Sequence, residues 1–408
     1  MSAQHRSARR SSLRALRHPN FALYFIGNLL SNCGTWFQNI ALALLVYRLT
    51  SSSFWVGVVN FAQFIGVVVL APWAGSAADR FNRRWLIIAT QVGAAAVSTA
   101  LSWVIAAKIG GLPVVLTLAL LLGATTAFST PALQAVLPSL VPREDLGGAV
   151  AMNSVTFNLA RAVGPVGGAI VVARLGIPWA IGLNAISYLL FGAAMLVIRV
   201  DDQRERPRER ARLRDSIRML GQNGELAMLL VAVAAVSLTM DPVSTLTPAF
   251  ATRFFHKPDT FAGLLIGAFG TGAVIGSVIP LHQNKRPGRR IALMLMVFSV
   301  AMILFGILPG MAPALIALVI SGFGYLIGQT GATTQLQLEV SDDERGRVMA
   351  LWSVAFLGTR PIAALIDGGL AALLGLRPAT VILAIPSIVA AALVFRVHKR
   401  QIANAHRQ

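Results

Sequence analysis

Four ionisable side chains inside long apolar stretches have the greatest capacity for chemistry in this sequence. They are Arg161, Asp241, Arg360 and Asp367. A charged side chain in a hydrocarbon layer costs roughly 2.5–3.5 kcal/mol on insertion scales, so it usually faces a cavity or a partner. A buried carboxyl group that no arginine pairs holds its proton tightly. It can therefore bind a proton on one side of a membrane and release it when an arginine or a cationic substrate arrives.

Asp241 is the first candidate for proton coupling, and Asp367 is the second. Asp241 lies within an apolar stretch and precedes Pro242, which removes a backbone donor and can kink a helix. Asp367 follows Arg360 by two helical turns, which places both side chains on roughly one face. The alternative is a static ion pair of an acid with Arg161 or Arg360.

Amide side chains in the apolar stretches form a second group of candidates. They can line a substrate route, or they can hydrogen-bond one helix to another. The candidates for substrate contact are Asn28, Asn32, Gln134, Asn158 and Gln329.

The sequence contains no pattern for catalysis, a metal or a cofactor. No Gly-x-x-x-x-Gly-Lys-Ser/Thr phosphate loop occurs, so direct ATP hydrolysis is not indicated. The six histidines are terminal or in loops, without the spacing of metal ligands. No nucleophile–base pair is found. We therefore predict that the protein is not an enzyme, that it has no catalytic residues and that it holds neither a metal nor a cofactor.

Membrane helices are the predicted elements that carry these residues. Of the 408 residues, 56% are hydrophobic and 12% charged, which is typical of a polytopic membrane protein. One span needs roughly 20 apolar residues. Twelve such runs predict an all-α membrane protein: Phe21–Val46, Phe54–Ala74, Trp85–Ala107, Val114–Leu137, Ala149–Val172, Ala180–Ile198, Leu226–Phe250, Phe261–Pro280, Ile291–Leu308, Ala312–Leu336, Val348–Leu374 and Thr380–Val397.

Basic residues predict the orientation of the spans. Most of them lie on the side of the N-terminus, and the opposite side holds Arg48, Lys108, Arg174, Arg253, Lys257 and Arg377. Because basic loops stay in the cytoplasm, both termini are predicted to be cytoplasmic. The net charge of +19 then reflects a rim that faces anionic lipid, and nucleic-acid binding is not predicted.

The predicted parts of the chain are a cytoplasmic tail 1–20, a six-helix bundle 21–198, a cytoplasmic linker 199–225, a second bundle 226–397 and a cytoplasmic tail 398–408. An internal repeat relates the bundles. Ser154–Phe157 precedes Arg161 at the distance at which Ser353–Phe356 precedes Arg360, and the offset is about half the chain.

Between the second and third runs lies Gly75-Ser-Ala-Ala-Asp79-Arg80-Phe-Asn82-Arg83-Arg84. We predict a very short cytoplasmic turn, in which Gly75 allows close helix approach and Asn82 tolerates a left-handed conformation. Asp79 would complement an arginine or the N-terminus of a helix. The alternative is a turn that only sets the topology.

The fifth run contains Gly164-Pro165-Val166-Gly167-Gly168. Pro165 predicts a kink, and the glycines predict close packing against another helix. A kink that serves packing alone is the alternative to a functional motif.

These motifs resemble those of the major facilitator superfamily. Its pattern between helices 2 and 3 is Gly-x-x-x-Asp-Arg-x-Gly-Arg-Arg/Lys, which Gly75, Asp79, Arg80, Arg83 and Arg84 match and from which Asn82 departs. The Gly164-Pro165-x-x-Gly168 segment resembles an element of drug–proton antiporters that helps seal the inward cavity. Four further stretches are similar to the enterobactin-exporter-like branch, the transmembrane secretion effectors: 61–63, 129–138, 158–165 and 345–349.

The resemblance implies two six-helix bundles in the major facilitator fold, with a substrate cavity between them. It implies proton-driven export of siderophores, drugs or other hydrophobic metabolites. It also implies that Asp79 docks on a helix start near Arg345–Val348, and that Arg80, Arg83 and Arg84 latch the bundles at the cytoplasmic face.

We therefore predict a monomeric secondary transporter of the inner or plasma membrane, which works by alternating access. Its partners are the lipid bilayer, a small-molecule substrate and protons. Uptake by symport or facilitated diffusion is one alternative. A non-transporting membrane receptor or assembly partner is an alternative of another class.

Overall fold

A computed structural model describes residues 14–200, 223–278 and 287–405. The described residues are almost entirely helical, and no strand occurs among them. Most of the predicted tail 1–20 and linker 199–225 lies outside the described residues. The last helix continues through Ala405, so the predicted tail 398–408 begins inside a helix rather than after one.

Six helices form the first half of the described chain. Their bounds are α1 Pro19–Thr50, α2 Ser53–Arg80, α3 Arg83–Ala106, α4 Gly111–Val136, α5 Leu146–Leu175 and α6 Ile177–Val197. Two 3₁₀ turns, Leu137–Ser139 and Arg143–Asp145, connect α4 to α5.

Seven further helices form the second half. Their bounds are α7 Gly224–Met240, α8 Phe261–Val278, α9 Pro287–Ile307, α10 Met311–Leu338, α11 Asp342–Phe356, α12 Thr359–Leu374 and α13 Leu376–Ala405. Between α7 and α8 lie two short helical pieces, Pro242–Thr245 and Thr247–Ala249, and a π-helical turn, Phe250–Phe254.

These helices confirm the prediction of twelve spans in an all-α membrane protein. Within the described ranges, eleven segments are long and apolar enough to cross a bilayer, with α11 and α12 together forming one of them. The twelfth is α8, whose apolar part is the shorter stretch Phe261–Ser277. Only helices satisfy every backbone donor and acceptor within one segment, which is why apolar runs of this length fold this way in lipid.

The structure differs from the predicted spans at two prolines. The seventh span was expected to continue to Phe250 with a kink, but α7 ends at Met240, before Pro242. The eleventh span is likewise broken between α11 and α12, before Pro361. A proline ring meets the carbonyl four residues earlier and offers no N–H, which weakens the helix at both places. Pro165 lies inside the continuous helix α5, so a proline favours a break but does not impose one.

The turn between α2 and α3 is also shorter than predicted. Gly75, Asp79 and Arg80 lie in the last turns of α2, and only Phe81 and Asn82 lie between the helices. Asn82 does not use the left-handed conformation that asparagine tolerates, because its φ is −62° and its ψ is 120°. Asn82 is instead the N-cap of α3, since its side chain accepts a hydrogen bond from the Trp85 amide at 3.2 Å.

We expect Asn82→Ala to lower the free energy of unfolding by about 1 kcal/mol, because the cap of α3 is lost. Asn82→Ser is the matched control, since serine caps helices as well as asparagine does. Thermal unfolding in detergent, followed by circular dichroism, measures both. Equal unfolding midpoints for the alanine and serine variants would show that the cap contributes nothing.

Compact packing divides the chain into two units. The first comprises Met1–Leu49 and Ala62–Pro207, and the second comprises Thr50–Phe61 and Arg208–Gln408. The first turns of α2 therefore pack within the second unit, whereas the predicted boundary placed them in the first bundle.

A buried polar cluster joins three helices of the first unit. The Gln38 side-chain oxygen on α1 accepts hydrogen bonds from Ser98 on α3 and from Asn184 on α6, each at 2.8 Å. All three side chains are buried. In lipid, where apolar side chains give helices little preference for one another, such bonds fix which helices pack together.

In the second unit, glycines bring α8 and α10 into backbone contact. A Cβ atom added at Gly322 would lie 1.9 Å from the Phe269 carbonyl oxygen, and one added at Gly272 would lie 1.9 Å from that of Val319. The two helices can approach this closely only because glycine has no side chain.

Candidate functional site

A pair of buried carboxyl groups lies inside the second unit. Asp241 follows the last residue of α7, and Asp367 lies on α12; their exposed fractions are 1% and 0%. The two carboxyl groups lie within hydrogen-bonding range of each other. The sequence singled out both acids but did not predict that they meet.

The surroundings of this pair favour a shared proton. Both side-chain oxygens of Asp367 are buried, and the described residues offer them no backbone or side-chain donor. Two ionised carboxylates have no hydrogen to share, and they repel each other. One proton between Asp241 and Asp367 would supply the missing donor and remove one negative charge. The pair is thus suited to exchange a single proton.

Arg360 balances the remaining charge. Its Nε atom lies 3.7 Å from Oδ1 of Asp241, which makes an ion pair that is too long for a hydrogen bond. The Arg360 side chain is itself buried. The predicted alternative of a static ion pair therefore describes one contact of the cluster, but it leaves Asp367 unexplained.

Each charged member of the ion pair lies immediately before a proline at a helix break. Asp241 precedes Pro242, and Arg360 precedes Pro361. The breaks interrupt the helical hydrogen bonds beside the charged groups. Interrupted helices are a recurrent way to place polar backbone and charge within a membrane protein.

Two side chains that the sequence did not associate with the acids complete the cluster. Thr245 donates a hydrogen bond to Oδ2 of Asp241 at 3.1 Å, and the Asn60 amide donates one to the Thr245 hydroxyl at 3.0 Å. Thr245 lies one helical turn after Asp241, so the i+4 spacing was a usable signal for it. Asn60 lies far away in sequence, and no local signal identifies it.

Arg161 lies in the first unit, on α5, and is 3% exposed. Its guanidinium carbon is 4.9 Å from the centre of the Phe157 ring and 5.8 Å from that of Trp36. Aromatic faces stabilise a cation in a desolvated place. Of the two arginines that the sequence offered as partners for the acids, Arg360 is the one that belongs to the same unit as Asp241 and Asp367.

Two arginines of the α2–α3 motif bind within the first unit. Arg83 donates to the Ala135 carbonyl at 3.1 Å, and Arg84 donates to the Met195 carbonyl at 2.8 Å and to that of Leu196. They therefore hold the start of α3 against the ends of α4 and α6. A Cβ atom added at Gly75 would meet no heavy atom within 4 Å, so Gly75 makes no close helix contact in this structure.

The glycines of the α5 motif pack against α1. Added Cβ atoms at Gly164 and Gly168 would lie 2.5 Å from Cβ of Trp36 and 2.7 Å from Cα of Phe37. Pro165 lies inside the helix between them. Close packing is therefore observed, and a further role of this motif in gating stays a prediction.

The predicted substrate-lining amides occupy different environments. Asn28 is buried and donates to the side chain of Asn153 at 3.0 Å, and Asn32 donates to Asn28 at 2.9 Å, so these amides help to join α1 to α5. Asn158 donates to a carbonyl of its own helix. Gln134 is exposed, and Gln329 is buried with no described hydrogen-bond partner for its amide.

A cavity of about 160 Å³ lies in the second unit between the starts of α7 and α9, the end of α10 and the stretch 394–398 of α13. Glu225, Gln335, Glu339 and His398 are among its lining residues. Partial burial, and secondarily the neighbouring Glu225 carboxylate, raise the pKa of Glu339. Glu339 is the residue that follows α10.

Comparison of the sequence with protein families identifies the family of the chain. The family described as transmembrane secretion effectors matches residues 10–408, which is nearly the whole chain. The match includes the α2–α3 motif, the α5 motif and the acid cluster.

Two curated transporters match most of the chain. The chain is 26% identical over 373 residues to the enterobactin exporter EntS of Citrobacter koseri, which covers 88% of this chain and 86% of the relative. It is 24% identical over 338 residues to the staphyloferrin A transporter of Staphylococcus aureus, which covers 80% of this chain and 84% of the relative.

Solved structures confirm the predicted major facilitator fold. A bacterial homolog of the human lysosomal transporter Spinster, described as inward-facing and unoccupied, superimposes with a TM-score of 0.73 at 15% identity, over 93% of this chain and 97% of that one. The nucleoside transporter NupG gives a TM-score of 0.73 at 13% identity, over 92% of this chain and 98% of that one.

Proposed function

This chain belongs to the transmembrane secretion effectors, a family of major facilitator transporters, and from that premise we propose that it exports a small amphiphilic molecule in exchange for protons. The family consists of membrane transporters, so the prediction that the chain is not an enzyme is confirmed. The proposal places it in the inner or plasma membrane as a monomer, with both termini in the cytoplasm.

The carboxyl pair Asp241–Asp367 is the observation that carries the proposal. A shared proton in a buried site, balanced by Arg360 and held beside two helix breaks, is what an exchanger needs to take up and release one proton per cycle. Losing that proton places a second negative charge beside a single arginine, which is costly in a dry interior. The protonated and deprotonated forms therefore favour different surroundings.

The substrate class that we propose follows the relatives. Their names mention enterobactin and staphyloferrin A, and both are siderophores. We propose a siderophore or a similar amphiphilic metabolite, moved by alternating access. Asp79 and Arg80 at the end of α2, with Arg83 and Arg84 at the start of α3, are the proposed cytoplasmic gate. The amides of the first and second units, such as Asn158 and Gln329, are proposed substrate contacts.

Everted membrane vesicles test both the direction and the coupling. With the interior acidified, vesicles that contain the protein should accumulate enterobactin or staphyloferrin A, and adding either compound should dissipate the pH gradient. Vesicles without the protein are the control. Accumulation that ignores the pH gradient would indicate a facilitator. Accumulation only in right-side-out vesicles with an acidic exterior would indicate uptake.

A further inference from the structure

The first turns of α2 are bound to the rest of the second unit through backbone contacts. A Cβ atom added at Gly57 would lie 2.2 Å from the Ala364 carbonyl oxygen, and one added at Gly368 would lie 2.7 Å from Cα of Phe54. Ala364 and Gly368 are one turn apart on α12. Segment 53–61 therefore lies directly on the helix that carries Asp367, as small residues allow in membrane helices.

The same segment reaches the acids through a directed chain of hydrogen bonds. Asn60 Nδ2 donates to the Thr245 hydroxyl, and that hydroxyl donates its single hydrogen to Asp241. Asn60 and Thr245 are buried. A segment that is covalently part of α2 thus contributes to the surroundings of the proton site.

We propose that Asn60 and Thr245 are positioning residues for proton exchange, and that the proton on the acid pair keeps segment 53–61 docked on α12. This inference rests on the proposed exchange of protons at Asp241 and Asp367. With one proton present, Arg360 balances the single negative charge and the site stays dry. Without it, one buried carboxylate has no counter-charge, and water must reach it. Departure of the segment that covers the site admits that water.

The charged groups that face this site are few. Arg360 and Asp367 both belong to α12 and face Asp241. The docked segment 53–61 contains no charged residue, and neither do α8, α10 or the stretch 378–395 of α13. α11 carries charged residues only at its start, 342–347. Arg253 donates to the Ser51 carbonyl just before the docked segment, but an arginine keeps its charge at every accessible pH. Titration of the acid pair is therefore the charge change that acts on the docked segment.

Distances between spin labels on Trp55→Cys and Leu373→Cys test the proposal. Both positions are partly exposed, and Cys33→Ser removes the one native thiol. In lipid nanodiscs at low pH we expect one short distance. A second, longer distance should grow as the pH rises. Asp367→Asn carries no titratable proton, so it should keep the short distance at every pH.

The hydrogen-bond chain is tested by a double-mutant cycle. Asn60→Leu should lower the pH midpoint of the change by about one unit, because the docked form loses a bond of about 1 kcal/mol. Thr245→Val also removes the donor to the Asp241 carboxylate, which favours the protonated pair, so its own midpoint differs from that of Asn60→Leu. Adding Asn60→Leu to Thr245→Val should cause no further shift, because the acceptor of the Asn60 bond is already gone. Gln63→Leu, one turn further along α2, is the matched control and should leave the midpoint unchanged.

Two results would overturn the inference. One is a wild-type distance that does not depend on pH. The other is an equal shift in Asn60→Leu and Gln63→Leu. The spin-label distances are measured without substrate, so they can be interpreted independently of the transport measured in vesicles. A pH-dependent distance in a protein that moves no protons would contradict the proposed function alone.

Discussion

In the Asp367→Asn variant, substrate-driven proton exchange falls at least about tenfold, whereas exchange of substrate across the membrane without a gradient continues. An amide keeps the shape of the carboxyl group and can donate to Asp241, so the packing of α12 is preserved. It cannot release a proton in the accessible pH range, so the coupling is lost. Proteoliposomes with a pH-sensitive dye inside and labelled substrate outside measure both quantities.

Asp259→Asn is the control for that experiment, because Asp259 lies between the π-helical turn and α8 rather than in the acid cluster. Asp367→Glu retains the titratable group and should recover part of the exchange. If Asp367→Asn exchanges protons at the wild-type rate, the shared proton is not the coupling proton.

Asp241→Asn should give a different result from Asp367→Asn. Asp241 forms the ion pair with Arg360, and breaking a buried pair costs about 3–5 kcal/mol because one charge is left behind. We therefore expect low yield and low thermal stability from Asp241→Asn. Asp367 gives the cleaner test of coupling, although the sequence ranked Asp241 first.

Gly322→Ala lowers stability by about 3 kcal/mol or prevents folding, which is the largest effect on stability that we expect from one methyl group. The new Cβ atom would lie 1.9 Å from the Phe269 carbonyl oxygen on α8. That oxygen belongs to the backbone and cannot rotate away, so α8 and α10 must separate. Thermal unfolding of the purified protein in detergent measures the loss.

Gly369→Ala is the matched control for Gly322→Ala. Gly369 also lies in a helix, but an added Cβ atom there would meet nothing within 4 Å. Alanine favours a helix by up to about 1 kcal/mol over glycine, so Gly369→Ala should be neutral or stabilising. Equal unfolding temperatures for the two variants would mean that α8 and α10 adapt at no cost.

Hydropathy predicted the twelve spans because the thickness of the bilayer sets the length of an apolar run. Hydropathy could not place the break between α11 and α12, because the residues there, Leu357, Gly358 and Thr359, are uncharged and do not interrupt the hydropathy of the run. Pro361 was the available signal, since its ring excludes the Leu357 carbonyl from the regular helix.

The candidate site was predictable only in part. The cost of charge in lipid marked Asp241, Arg360 and Asp367, and helical spacing placed the last two on one face. The meeting of Asp241 with Asp367 depends on how α7 packs beside α12, and neither helix encodes that locally. The contribution of Asn60 depends on α2 entering the second unit, which a division of the chain by sequence alone did not anticipate.

The Gln38 cluster has a consequence for how the protein is made. Ser98 arrives with the third span and Asn184 with the sixth, so the second donor to the Gln38 oxygen emerges only near the end of the first unit. In a nascent chain that stops after α5, Gln38 can bond to Ser98 but still lacks its second buried donor. We therefore expect the polar cluster of the first unit to be complete only once α6 has been inserted, just before the second half is translated.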